Sequence, residues 1–372
     1  MNQIRLISTN IFIAFLSIIF GLSFVEILLA FQPKNQTNLN TEERYIRLEL
    51  FPPNMRRQVV PSNAYLKQTD SFNDKKKYYI QSDKSGAIVN PNDKNTFHNN
   101  KKLDIIFLGG STTENMYVRE DIRFPALVTK ILNEQKFCKD RSCNILNAGT
   151  SGRTIPGSIN ILLNRYQIPK PKKVILMHNI NDLVFLLRGN QNWSSDRHLV
   201  NVTKYPLMKL KTYITQFAYN FPNSYALFIN TYNKFGFSNE FSEADKSSPL
   251  DKVPINQEEF IKNEFIKSLD IFISICQIQG IEPILMTQPS RLQDYTISQK
   301  FIKSVPGLNY KNVVLLHNKF NNIIKSYESK GILIIDLDNL IISNKENMFD
   351  LFHLTEKGNI LAAEAIVKEL QK

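Results

Sequence analysis

The sequence predicts an α/β fold: a three-layer sandwich of a mainly parallel sheet between helices, with a transmembrane helix ahead of it. Three observations predict it. Short, continuous apolar runs recur along the second part of the chain. Longer amphipathic segments separate them. A single apolar stretch of membrane-spanning length lies near the N-terminus.

The apolar runs are Leu103–Leu108, Asn144–Ala148, Val174–Met177, Ile281–Thr287 and Ile332–Leu337. They are short and lack polar alternation, as expected of strands covered on both faces in a parallel sheet. Helical spacing links Phe124, Leu127, Val128, Ile131 and Leu132. A second stripe is Phe260, Phe265, Leu269, Phe272 and Ile273, and a third is Ile360, Ala363, Ile366, Val367 and Leu370. Alternation of the two patterns implies right-handed crossovers. In such a sheet, ligands meet the loops at the carboxyl ends of the strands.

At the N-terminus, residues 11–31 read IFIAFLSIIFGLSFVEILLAF. About 20 apolar residues suffice to cross a bilayer as a helix. A cleaved secretory signal is the rival, but its apolar core would be shorter, and Leu28 ahead of Ala30 makes a poor small-x-small site. An uncleaved signal-anchor over residues 1–32 is therefore expected. Arg5 precedes the span while Lys34, Arg44 and Arg47 follow it, so the positive-inside count does not set the orientation. Residues 33–100 are rich in Asn, Lys, Asp, Ser and Pro and read as a stalk partly packed on the main domain at 101–372. Within that domain, the stretch at about 189–256 breaks the strand–helix rhythm and reads as an insertion.

Composition narrows the function classes. Of 372 residues, 42% are hydrophobic and 11% aromatic, which supports a sizeable core and argues against disorder throughout. The net charge of +12 raises nucleic-acid binding. However, the clusters Lys75–Lys77, Lys101–Lys102 and Lys170–Lys173 are short and lack interleaved aromatics or a recognisable motif, so no nucleic-acid partner is expected. Three cysteines make no disulfide framework. Cys138 and Cys143 suit either a local disulfide or two free thiols, and Cys276 reads as core. No Cys–His spacing resembles a zinc site.

The chemistry is sought where the apolar runs end. Gly109-Gly110-Ser111-Thr112-Thr113 follows the first run; by itself it reads equally as a helix N-cap. It is neither a phosphate-binding P-loop nor a G-x-S-x-G elbow. Asn147-Ala148-Gly149-Thr150-Ser151-Gly152 follows the second, and Asn179-Ile180-Asn181-Asp182 the third. Near the C-terminus, Asp350-Leu351-Phe352-His353 places an acid and an imidazole three residues apart on a loop entering a helix. A carboxylate so placed can hold one imidazole nitrogen and leave the other to take a proton from a serine. The other four histidines have no acidic residue at that spacing.

Together these four blocks, in this order, resemble the SGNH (GDSL-like) hydrolase family over roughly residues 103–370, in its membrane-anchored bacterial form. Gly110 stands where many members carry Asp, and Asn179 where a Gly is usual. The resemblance implies a flavodoxin-like fold, a Ser111–His353–Asp350 triad, and an oxyanion hole from the Ser111 and Gly152 N–H groups and the Asn181 side chain. It implies an ester hydrolase that needs neither metal nor organic cofactor. Anchoring points to acetyl esters of a cell-envelope or exported polysaccharide, with the domain on the outer side of a bacterial inner membrane. The same triad serves O-acyl transfer, and a catalytically idle glycan-binding scaffold is the alternative of another class.

Overall fold

The structure, a computed structural model, describes residues 13–18, 20–25, 50–72, 76–89, 102–139, 141–167, 169–187, 257–304 and 309–372. The chain divides into two compact units. One comprises residues 1–39 and 195–246, the other residues 40–194 and 247–372. In the first, residues 13–18 and 20–25 are helical, with Ile13, Phe15, Ile18, Phe20 and Phe24 exposed. These lie inside the expected span of 11–31, whose remaining residues fall outside the described ones. No helix among the described residues is long and apolar enough to cross a membrane. The expected insertion at 189–256 also lies outside the described residues.

The second unit is built on a five-stranded sheet: β3 (Leu103–Gly109), β4 (Ile145–Asn147), β5 (Pro171–Met177), β6 (Glu282–Met286) and β7 (Leu333–Ile335). The order is β4-β3-β5-β6-β7, and every pairing is parallel. This is a doubly wound order of the flavodoxin type, whose chain reverses direction across the sheet between β3 and β5. Each of the five apolar runs overlaps one of these strands; β5 begins ahead of its run, at Pro171, and β3 ends just after its run, at Gly109.

Their continuous hydrophobicity has a direct cause: both faces are buried. Ile106, Leu108, Val174, Leu176 and Leu285 pack into a core with helices α4 (Ile155–Arg165), α5 (Ile180–Leu187), α6 (Gln257–Ile278) and α8 (Tyr310–Ser326). Their alternates Ile105, Phe107, Ile175, Met177, Ile284 and Met286 pack against α3 (Phe124–Glu134) and α10 (Glu356–Leu370). The predicted stripes form helices, with two corrections at their edges. Phe260 at the start of α6 and Ile360 on α10 are 38% and 42% exposed. Each lies on the border of its apolar face, where a step of one residue in a 3.6-residue turn decides burial.

Ahead of the sheet, residues 50–72 and 76–89 form an arm. It carries an antiparallel pair, β1 (Arg56–Val59) and β2 (Tyr78–Gln81), and the one-turn helix α1 (Asn63–Leu66) between them. Val59, Tyr78, Ile80 and Ile88 make a small separate core. The arm continues to the sheet edge, where the Ile88 N–H donates to the Asn147 carbonyl at 2.7 Å. Cys138 and Cys143, after α3, are joined by a disulfide, and Cys276 is buried and free.

Candidate active site

Ser111 opens the one-turn helix α2 (Ser111–Glu114) directly beyond β3. The helix stops because Asn115 takes a left-handed conformation (φ 52°), which asparagine tolerates, and its side-chain amide donates to the Thr112 carbonyl at 2.6 Å. Gly110 caps the helix without a side chain. The first N–H groups of a helix have no acceptor within it, so the Ser111 N–H is left for another.

The loop ahead of α10 brings the predicted acid and base to this serine. His353 Nε2 lies 2.8 Å from Ser111 Oγ, and His353 Nδ1 lies 2.6 Å from Asp350 Oδ2. The Phe352 and His353 N–H groups donate to Asp350 Oδ1 at 2.8 and 2.7 Å. Asp350 is thereby fixed as an acceptor for Nδ1–H, which leaves Nε2 free to accept the Ser111 hydroxyl proton. Burial would raise the Asp350 carboxyl, but the His353 charge and its hydrogen bonds outweigh it and hold it below its ordinary value. Burial opposes the His353 charge in the same way, yet the Asp350 carboxylate, with a smaller contribution from Glu114, raises the imidazole above its ordinary 6.5.

Asn181 sits in the first turn of α5, just beyond β5, and its Nδ2 donates to the Arg153 carbonyl at 2.9 Å. That bond takes one amide hydrogen and leaves the other. A Cβ placed on Gly110 would stand 2.2 Å from Asn181 Nδ2, so the residue beside Ser111 lacks a side chain where the amide approaches. Gly152 lies between the residue that holds Asn181 and Ser151, whose hydroxyl donates to Glu114 on the helix that Ser111 opens. Its φ of 79° is a left-handed turn position, and a Cβ there would meet nothing. Ser111, Asp350 and His353 are thus in hydrogen-bonding contact. Asn181 and Gly152 come from neighbouring strand ends, as the parallel order requires.

Several residues around this cluster carried no signal in the sequence. Gln288, beyond β6, donates to Thr112 Oγ1 at 2.7 Å and accepts the Ile180 N–H at 2.9 Å, tying α2 to α5. Glu114 is 1% exposed, and burial raises its carboxyl. Tyr65 of the arm donates its phenol O–H to Asp350 Oδ2 at 2.8 Å. A second histidine also has an acid close by, at a different spacing. His178, at the end of β5, has Ser158 Oγ 2.7 Å from Nε2 and Asp182 Oδ2 3.3 Å from Nδ1. Among the described residues, no group of three or more His, Cys, Asp or Glu side chains is placed to hold a metal ion.

No protein-family model matches the chain, and no curated protein matches its sequence. Similar solved structures include a variant of Axe2, an acetyl xylan esterase from Geobacillus stearothermophilus. It is 14% identical with a TM-score of 0.40, covering 73% of this chain and 97% of that one. The acetyl xylan esterase AlAXEase is 15% identical at a TM-score of 0.41, covering 72% and 98%. A lipolytic G-D-S-L-family protein of Desulfitobacterium hafniense is 10% identical at 0.39, covering 72% and 99%. Similarity at this level assigns neither activity nor substrate to the chain; the geometry of the cluster has to carry both.

Proposed function

We propose that the chain is a serine esterase of SGNH type that removes acyl groups, acetyl foremost, from a cell-envelope or exported polysaccharide. The observation that carries the reading is the continuous Ser111–His353–Asp350 hydrogen-bonded relay at the carboxyl end of β3, beside the switch point of the sheet.

In this reading, His353 Nε2 takes the Ser111 proton as the hydroxyl oxygen attacks the ester carbonyl. The new C–O bond gives a tetrahedral oxyanion, for which the Ser111 and Gly152 N–H groups and the Asn181 amide are the donors. Asp350 stabilises the imidazolium and keeps its proton on Nδ1. Collapse of the intermediate breaks the ester bond, and the proton passes from Nε2 to the departing sugar oxygen, which leaves as a hydroxyl. Water, deprotonated by the same nitrogen, then releases the carboxylic acid and restores Ser111.

The setting of the substrate is argued separately. The apolar stretch at 11–31 is long enough to anchor the chain in a bilayer, and the helical residues within it expose large apolar side chains. The Cys138–Cys143 disulfide suits an oxidising compartment outside the cytoplasm. An esterase anchored there faces envelope glycans rather than cytoplasmic metabolites.

The test is acetate release by the full chain from O-acetylated polysaccharides and from short-chain aryl esters, with Ser111→Ala in parallel. The expected result is Ser111-dependent release from both. Equal release by wild type and variant removes the serine mechanism. Ser111-dependent aryl-ester cleavage without acetate from any glycan removes the polysaccharide assignment.

A further inference from the structure

The candidate site is not confined to the α/β layers. The arm ahead of the sheet reaches the loop that carries Asp350 and His353 and is bonded to it at several points. Asp70 pairs through both carboxylate oxygens with Arg291, at 2.8 and 2.7 Å, and the Arg291 side chain is only 3% exposed. Arg291 also donates to the Met348 carbonyl at 3.0 Å, and its backbone N–H to the Leu351 carbonyl at 2.8 Å. The Asp70 N–H donates to the Phe349 carbonyl at 3.2 Å, and Ser71 Oγ to the Lys345 carbonyl at 2.9 Å. On the other side, the buried Arg123 donates to the carbonyls of Tyr79 on β2 and of Asn115 beyond α2. The arm is therefore held both to the loop of the acid and base and to the helix of the nucleophile.

One side chain of the arm enters the relay itself. Ser62 caps α1, accepting the Tyr65 N–H at 3.1 Å, and so fixes the turn from which Tyr65 projects. The Tyr65 ring packs against Tyr117 (centroids 5.0 Å apart), Phe72 (6.4 Å) and the His353 ring (6.3 Å). Its hydroxyl lies 2.8 Å from Asp350 Oδ2, the same oxygen that faces His353 Nδ1, and 3.4 Å from Nδ1. Since a phenol at neutral pH donates one proton and Nδ1–H is directed to the carboxylate, the Tyr65 hydrogen goes to Asp350.

We propose that Tyr65 is a positioning residue of the active centre: its hydroxyl completes the hydrogen-bond shell of Asp350 and sets how strongly that carboxylate holds the His353 imidazolium. The inference rests on the serine-esterase reading for its kinetic consequence but not for its structural one. With Tyr65, Asp350 accepts four hydrogen bonds: two from backbone N–H groups on Oδ1, and those of Tyr65 and His353 on Oδ2. A donor added to a carboxylate lowers its basicity, so the imidazolium is held less tightly than it would be otherwise. Removing the phenol O–H leaves Oδ2 to His353 alone and strengthens that hold. The charged and titratable groups facing His353 are then Asp350 on its own loop and Glu114 on α2. Tyr117 and Arg123 lie beside Tyr65 and Glu114.

The test is Tyr65→Phe in the full chain, which keeps the ring packing and removes one oxygen. The first readout is the titration of His353, followed by NMR on protein labelled at its histidines and assigned with His353→Gln. The second is kcat and KM for an aryl ester across pH. Expected are a His353 titration shifted upward by several tenths of a pH unit and an acid limb of kcat shifted with it. About a two- to threefold lower kcat is expected at pH values below the His353 midpoint, as a shift of that size allows, with KM unchanged. An unchanged or downward-shifted His353 titration overturns the proposal whether or not the protein turns over esters. If Ser111→Ala cleaves the ester as fast as wild type, the esterase reading fails, and the titration alone then decides the role of Tyr65.

Discussion

Two Ser–His–Asp groups lie in one α/β unit, alike in the serine–imidazole distance and different in the contact to the acid. In the candidate active site, serine to imidazole is 2.8 Å and imidazole to carboxylate 2.6 Å; in the Ser158–His178–Asp182 group the same spans are 2.7 and 3.3 Å. His178 Nδ1 and Asp182 Oδ2 make no hydrogen bond, and access separates the two groups further. Ser158 and Asp182 are 0% exposed and His178 is 3% exposed, whereas the His353 side chain keeps 18% of its surface. Ser158 lies in the first turn of α4, with no turn that would present its hydroxyl to a ligand. Asp182 has its other oxygen taken by the Ile155 N–H at 3.0 Å. The sealed group therefore staples the start of α4 to the start of α5, the elements that flank Arg153 and Asn181. Distances alone do not make a nucleophile. The proposed site adds a hydrogen bond to its acid, an open approach and donors for a developing oxyanion.

That contrast can be broken by experiment, starting with the largest effect. Ser111→Ala should lower ester turnover on the order of 10⁴-fold or more, as loss of a nucleophile does. Ser158→Ala should leave kcat within about twofold, because its hydroxyl meets no substrate. Steady-state rates on an aryl ester at 25 °C would compare the two directly. Comparable losses in both variants would end the distinction between them.

Asn181→Ala comes next. Removing one oxyanion donor typically costs roughly two to three decades in kcat, so this variant should fold normally and turn over about 10²–10³ more slowly. Full activity would show that the amide stays on the Arg153 carbonyl and never meets the oxyanion.

The pH dependence gives a smaller effect of definite sign. His353 must be neutral to accept the serine proton, and its Asp350 partner raises it above 6.5. The rate should therefore be full on the alkaline side and fall as pH drops through a value higher than 6.5. A kcat/KM profile whose acid limb lies below 6 would mean that His353 is not the titrating base.

The smallest effect belongs to the sealed group. Ser158→Ala leaves His178 Nε2 buried without its partner, at a cost of about 1–3 kcal/mol. Thermal melting should register this as a fall of several degrees. Ser111→Ala should melt close to wild type, since its serine faces an accessible site.

The same contrast explains what the sequence could reveal. The five strands were legible because burial on both faces leaves continuous apolar runs such as Leu103–Leu108, a local pattern. Ser111, Asn181, Asp350 and His353 were legible because each follows such a run or precedes a helix, and because their order resembles a family. Tyr65 left no local trace: it meets Asp350 across 285 positions from a segment that reads as a polar stalk. Gln288 likewise joins Thr112 across 176 positions. The Ser158–His178–Asp182 group was missed because its acid follows the histidine by four residues on a helix instead of preceding it by three on a loop. Its serine lies on another element altogether.

The central claim is that Ser111 is an activated nucleophile. It is tested most directly by treating the full chain with a fluorophosphonate and locating the adduct by peptide mass spectrometry. The account predicts a single modified residue, Ser111, with Ser158 untouched and labelling lost in His353→Gln. An unmodified Ser111 in protein that cleaves esters, or labelling that persists undiminished in His353→Gln, would contradict it.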